Sequence, residues 1–65
     1  MNLTYLRAER LKKGFTMKEM AEKLDIAYVT YRYIETGKRS VSLNTLVKIA
    51  NTLKLDTNKL LNIKH

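Results

Sequence analysis

Two glycines, Gly14 and Gly37, and no proline are all that punctuate these 65 residues. Proline and glycine are the residues that most strongly interrupt helices, and Leu, Lys, Ala, Glu, Met and Arg supply much of the rest of the chain. No segment alternates apolar and polar residues as a half-buried strand would. The expectation is an all-α fold in one small domain over 1–65. A domain of this size buries only about 60% of the surface its unfolded chain exposes, so many such domains rely on disulfides or a metal. Here there is no cysteine, and the single histidine is His65. A disulfide framework and a zinc site are therefore excluded, and no metal or other cofactor is expected. No apolar run approaches the roughly 18 residues of a membrane span, and no signal-peptide core follows Met1.

Charge narrows the partner. Thirteen Lys and Arg against six Asp and Glu leave a net charge of +7. So strong a field on so small a body suits a polyanion, with nucleic acid first and an anionic membrane surface second.

Caps and breakers set the expected helix boundaries. A first helix over about 2–13 ends at Gly14, with Lys12 and Lys13 in its last turn where cations suit the macrodipole. Thr16-Met17-Lys18-Glu19 spells a capping box, in which the threonine hydroxyl serves an exposed N–H and the glutamate reaches back. The second helix runs to Leu24 with Met17, Met20, Ala21 and Leu24 on one face. After a break at Asp25 and Ile26, a third helix covers about 27–36 and stops at Gly37. Lys38, Arg39, Ser40 and Val41 read as a basic loop. Ser42 caps a fourth helix to Leu53, whose expected inner face is Leu43, Leu46, Val47, Ile49, Ala50 and Leu53. Asp56 caps a short fifth helix carrying Leu60, Leu61 and Ile63. Five short helices with short connections make a compact bundle.

Residues 6–61 resemble the helix-turn-helix domain of the phage repressor and Cro class, the XRE-type family. The resemblance centres on 17–36: Ala21 is the small residue where two helices cross, Met20 and Leu24 anchor the second helix, and Ile26, Tyr31 and Ile34 fill the later apolar positions. Gly14, Thr16, the Glu35-Thr36-Gly37-Lys38 segment and the Ser42-Leu43 helix start extend it. It implies a lambda-repressor-like five-helix domain whose helices 2 and 3 form the helix-turn-helix. Four positions depart from the pattern. Asp25 and Lys54 stand where glycine is common, Ala27 replaces a Ser or Thr cap, and Met17 replaces a glutamine that touches phosphate.

In such domains the third helix enters the major groove, where every base pair shows a distinct pattern. At about 100° per residue, Ala27, Tyr31 and Ile34 share one face, with Glu35 at its edge. Tyr28, Val29, Arg32 and Tyr33 form the opposite face and are the expected base contacts. Arg32 suits guanine, Val29 suits a thymine methyl, and the two tyrosines offer hydroxyls; Thr30 is ambiguous between core edge and phosphate. Phosphate contacts are expected from Thr16, Met17 and Lys18 at the start of the second helix, and from Thr36, Lys38, Arg39 and Ser40 in the loop. The resemblance also implies an ion pair between Arg10 and Glu35.

An enzyme is not expected: there is no Cys or Asp–His constellation and no phosphate-binding glycine loop. The resemblance implies a transcriptional regulator of double-stranded DNA, a Cro-like or minimal phage or mobile-element repressor, working in the cytoplasm of a bacterium on the nucleoid. With the sequence ending soon after the fifth helix, no effector domain and no small-molecule ligand are expected. The operator is expected to be an inverted repeat read by a homodimer, at least on DNA, with any dimer surface around 56–61. The competing reading is a protein-interaction module that uses the 28–33 face, because Tyr and Arg are common interface anchors.

Overall fold

The computed structural model describes residues 1–61. Among them are five α-helices and no strand: α1 (Leu3–Lys12), α2 (Met17–Leu24), α3 (Tyr28–Glu35), α4 (Leu43–Leu53) and α5 (Thr57–Leu61). The all-α, five-helix expectation holds, with boundaries shifted inward by about a residue at several ends. Ile63, expected on the fifth helix, lies outside the described residues.

Four of the five helix starts follow from a local side-chain cap. The Asn2 side chain accepts from the Tyr5 amide, Ser42 from the Thr45 amide, and Asp56 from the Asn58 amide. At α2 the full capping box forms: Thr16 Oγ1 accepts from the Glu19 amide, and Glu19 Oε1 from the Thr16 amide, each at 3.0 Å. Only α3 starts without side-chain help, because Ala27 has nothing to offer.

The first four helices end in one way. The residue after the last turn takes a left-handed conformation, and paired amides fold back onto the helix's final carbonyls. At α3, Gly37 N–H donates to Ile34 O and Lys38 N–H to Tyr33 O. At α1, Gly14 and Phe15 donate to Leu11 and Arg10. The same exchange closes α2 at Asp25 (φ 56°) and α4 at Lys54 (φ 54°), without the glycine that makes such a φ easy. Gly37 is constrained twice, since a Cβ there would sit 3.0 Å from Leu3 Cδ1 as well as at φ 79°.

The core gathers Leu6 from α1, Met20, Ala21 and Leu24 from α2, Tyr31 and Ile34 from α3, Leu46, Ile49, Ala50 and Leu53 from α4, and Leu60 from α5. α2 and α3 form the most extensive helix pair, with Ala21 buried between its neighbours. The first and fifth helices clasp: Asn2 N–H donates to Leu60 O, and Asp56 N–H to Tyr5 Oη.

The inner face of α4 needs correcting. Leu43 and Val47, expected inside, are 71% and 45% exposed. Leu46, Ile49, Ala50 and Leu53 already form an apolar stripe, and Leu43 and Val47 lie roughly 70° and 110° round from its centre. A helix backed by core on one side has no room for so wide a band.

Candidate nucleic-acid interface

One buried ion pair ties α1 to the end of α3 and to the turn before α2. Arg10 Nη2 lies 2.8 Å from Glu35 Oε1, and Arg10 Nε donates to Oε2 at 2.9 Å. Its third nitrogen, Nη1, donates to Phe15 O at 2.7 Å, in the turn before α2. One guanidinium thus joins the end of α3 to the entry of α2, using the planar fork that Lys does not possess. Both members are buried. Hydrogen bonds to Glu35 hold the Arg10 pKa above its ordinary value, against the opposing effect of burial. Tyr31, fully buried beside the pair, keeps its hydroxyl without a hydrogen-bond partner. Burial, and next the Glu35 carboxylate, push its ionisation well above the ordinary tyrosine range.

With Tyr31, Ile34 and Glu35 turned inward, α3 presents Tyr28, Val29, Arg32 and Tyr33 to solvent. Tyr28 and Val29 are each 48% exposed and Tyr33 41%. So many half-exposed apolar groups on an eight-residue helix form a surface ready to be covered. Ala27, at the helix entrance, is exposed as well.

Two flanking elements carry the candidate phosphate groups. At the start of α2, Thr16 and Lys18 are exposed and Met17 is half-buried against the core. The capping box occupies the amides of Thr16 and Glu19, so those of Met17 and Lys18 are what this helix end presents to an anion. The hydrogen bonds from Thr16 hold Glu19 below the usual carboxylate range. In the loop after α3, Lys38, Arg39 and Ser40 are all exposed. Lys38 Nζ stands 5.8 Å from the centre of the Tyr33 ring, a cation over an aromatic face.

Thr36 differs from its loop neighbours. Its hydroxyl donates to Arg32 O at 2.7 Å, and its amide also turns back onto α3. Its proton is committed to closing the helix, which leaves it an acceptor and not a donor toward a phosphate. Thr30, ambiguous in sequence, lines a small cleft with Arg39, Ser40, Ser42 and Thr45. In the sequence, Ser42 signals only a cap and Thr45 signals nothing. The one signal available was their three-residue spacing, which here brings Ser42 Oγ and Thr45 Oγ1 to 3.0 Å.

Among the described residues no cluster of His, Cys, Asp or Glu could hold a metal ion, and no helix is long and apolar enough to cross a membrane.

Comparisons with known proteins give the family. The Helix-turn-helix family model matches residues 6–60. An uncharacterized HTH-type transcriptional regulator of Bacillus subtilis (strain 168), YqaF, is 38% identical over 52 residues, covering 80% of this chain and 68% of that protein. A second, the SPbeta prophage-derived uncharacterized HTH-type transcriptional regulator YonR of the same organism, is 37% identical over 60 residues, covering 92% of this chain. The match spans 56% of YonR, little more than half its length. No solved structure matches the chain at comparable significance.

Proposed function

The chain belongs to the XRE-type helix-turn-helix family of DNA-binding transcriptional regulators, and from that premise we propose that it is an operator-binding repressor of the Cro-like or minimal phage type, with α3 lying in the major groove. The observation that carries this reading is the outer face of α3. Tyr28, Val29, Arg32 and Tyr33 stand exposed together, flanked by the free amides of Met17 and Lys18 and by the exposed loop cations Lys38 and Arg39. Base contacts come from the four α3 side chains. Phosphate contacts come from Thr16, Met17 and Lys18 on one side, and from Lys38, Arg39 and Ser40 on the other, with Thr36 an acceptor within the same edge. The Arg10–Glu35 pair holds the two sets in register. A homodimer on an inverted repeat, one helical turn between half-site centres, completes the arrangement.

A second reading has one observation in its favour: the exposed tyrosines and valine of the 28–33 face would also suit a protein partner. The net charge of +7 favours DNA. Selection of binding sites from a random duplex pool, at low and high salt, separates the two. The expected result is an enriched inverted repeat whose affinity falls steeply with salt. Salt-sensitive retention with no enriched sequence would sink the repressor reading, and no retention at either salt would favour the protein partner.

A further inference from the structure

The outer face of α3 is unusual for what it lacks. In the major groove, adenine is read by Asn or Gln through N6 and N7, cytosine by a carboxylate that accepts from N4, guanine by Arg or Lys through O6 and N7, and thymine by apolar contact with its C5-methyl. From Ala27 to Ile34 there is no Asn, Gln, Asp or Glu. The one carboxylate on α3, Glu35, is buried with both oxygens held by Arg10. The helix therefore carries no adenine reader and no cytosine reader. Its tyrosine hydroxyls each donate and accept, so they do not tell an exocyclic amine from a carbonyl.

What remains is one guanidinium and an apolar patch. Arg32 is exposed, and Val29, three residues before it, is 48% exposed with Ala27 and Tyr28 beside it. Side chains three apart on a helix start about 5–6 Å from each other, and stacked bases follow at about 3.4 Å, so these two reach neighbouring base pairs. A β-branched residue on an exposed helix face gives up helix propensity with no packing in return, until something apolar covers it.

We propose that α3 reads a C5-methyl group beside a guanine: Val29 takes the methyl, Arg32 takes guanine O6 and N7, and nothing on the helix distinguishes the methyl's bearer. Thymine and 5-methylcytosine are then equivalent at that position, while uracil and unmodified cytosine are not. This inference rests on the major-groove placement of α3 and adds the chemical class of base that it recognises.

The test begins from the enriched duplex. Each thymine of a half-site is replaced singly by uracil, by 5-methylcytosine paired with guanine, and by cytosine paired with guanine, and affinity is measured by fluorescence anisotropy. At one thymine per half-site, uracil and cytosine weaken binding about fourfold, the worth of one buried methyl, and 5-methylcytosine stays within about twofold of thymine. Val29→Ala binds thymine and uracil duplexes alike and melts no earlier than the parent, since Val29 is 48% exposed and alanine regains the helix propensity that valine gives up. Uracil tolerated at every position overturns the proposal, as does a uracil penalty that survives Val29→Ala, or cytosine and 5-methylcytosine that bind alike. An enriched site without methyl dependence removes this inference alone; absence of any enriched site removes the repressor reading along with it.

Discussion

α3 has two faces that differ in almost everything but length. Its inner side puts Tyr31, Ile34 and Glu35 at 0%, 3% and 6% exposure, with a carboxylate held by three hydrogen bonds from Arg10. Its outer side leaves Tyr28, Val29 and Tyr33 at 41–48%, with Arg32 beside them. Seven of the eight residues thus divide between a side packed into the fold and a side open to solvent. The division is physical: packed atoms tolerate little change, while exposed ones are free to be chosen for what they touch. If it is as complete as the geometry shows, damage to one face should leave the other's property intact.

The largest effect belongs to the inner face. Glu35→Ala strands the Arg10 guanidinium in the core, a loss of about 3–5 kcal/mol for a buried partner removed. Glu19→Ala, which opens the capping box at the surface, is expected to cost far less. Chemical denaturation of Glu35→Ala and Glu19→Ala, with Glu22→Ala on the exposed side of α2 as a control, checks this. Equal small losses in all three would mean that the pair does not anchor α3.

The outer face comes next. Arg32→Ala is expected to lose about 1–3 kcal/mol of discrimination for the enriched site while its denaturation midpoint stays where it was. A variant that melted earlier would show Arg32 serving the fold and blur the division between faces.

Sequence and structure agree best where a local rule acts alone. The capping box at Thr16 and Glu19, the stops at Gly14 and Gly37, and the outward phase of Tyr28, Val29, Arg32 and Tyr33 all follow from neighbours within about one turn. The left-handed closures at Asp25 and Lys54 were legible too, as glycine positions filled by other residues. What the sequence concealed depended on distant parts of the chain. Leu43 and Val47 carry the same apolar signature as Leu46, and only the width of the core beneath α4 decides which of them are covered. Thr36 has a free hydroxyl on paper, and the turn it closes takes that proton. Thr30 joins the Arg39 and Ser42 cleft through a loop whose path no periodicity foretells.

A change that stabilises without touching either face sharpens the comparison from the other side. Asp25, in the turn that delivers α3, holds φ at 56°, and Lys54 after α4 holds 54°. Replacing either with glycine removes the Cβ strain of the left-handed region and is expected to gain about 1 kcal/mol, the two adding because the sites share no partner. Base discrimination should be unchanged in both. The reverse change at α3's own end, Gly37→Ala, is expected to lose stability, since alanine is strained at φ 79° and its Cβ would also crowd Leu3 at 3.0 Å. Denaturation of the variants gives the sign of each. A loss on Asp25→Gly would mean that its side chain supplies something to the turn beyond tolerance of positive φ.

The smallest effect probes whether the inner face is uniform. Tyr31 is fully buried, yet its hydroxyl has no hydrogen-bond partner. Tyr31→Phe removes a desolvated polar group and leaves a gap of one oxygen, opposing effects that should net to about 0.5 kcal/mol or less near neutral pH. Alkali should separate the two proteins. The Tyr31 pKa is raised in the folded state, by burial first and by Glu35 second, above the ordinary value of 10.0 that the unfolded chain is taken to have. Its neutral form therefore contributes stability in full below that value, and the contribution declines as pH climbs beyond it, by up to about 1.4 kcal/mol per unit. Tyr31→Phe has no such proton to lose. Denaturation at pH 8, 10 and 11 should show the wild-type chain falling faster than the variant above pH 10. Parallel decline of the two would place the alkaline sensitivity in other groups and make Tyr31 an ordinary packing residue, with its hydroxyl incidental to the Arg10–Glu35 pair.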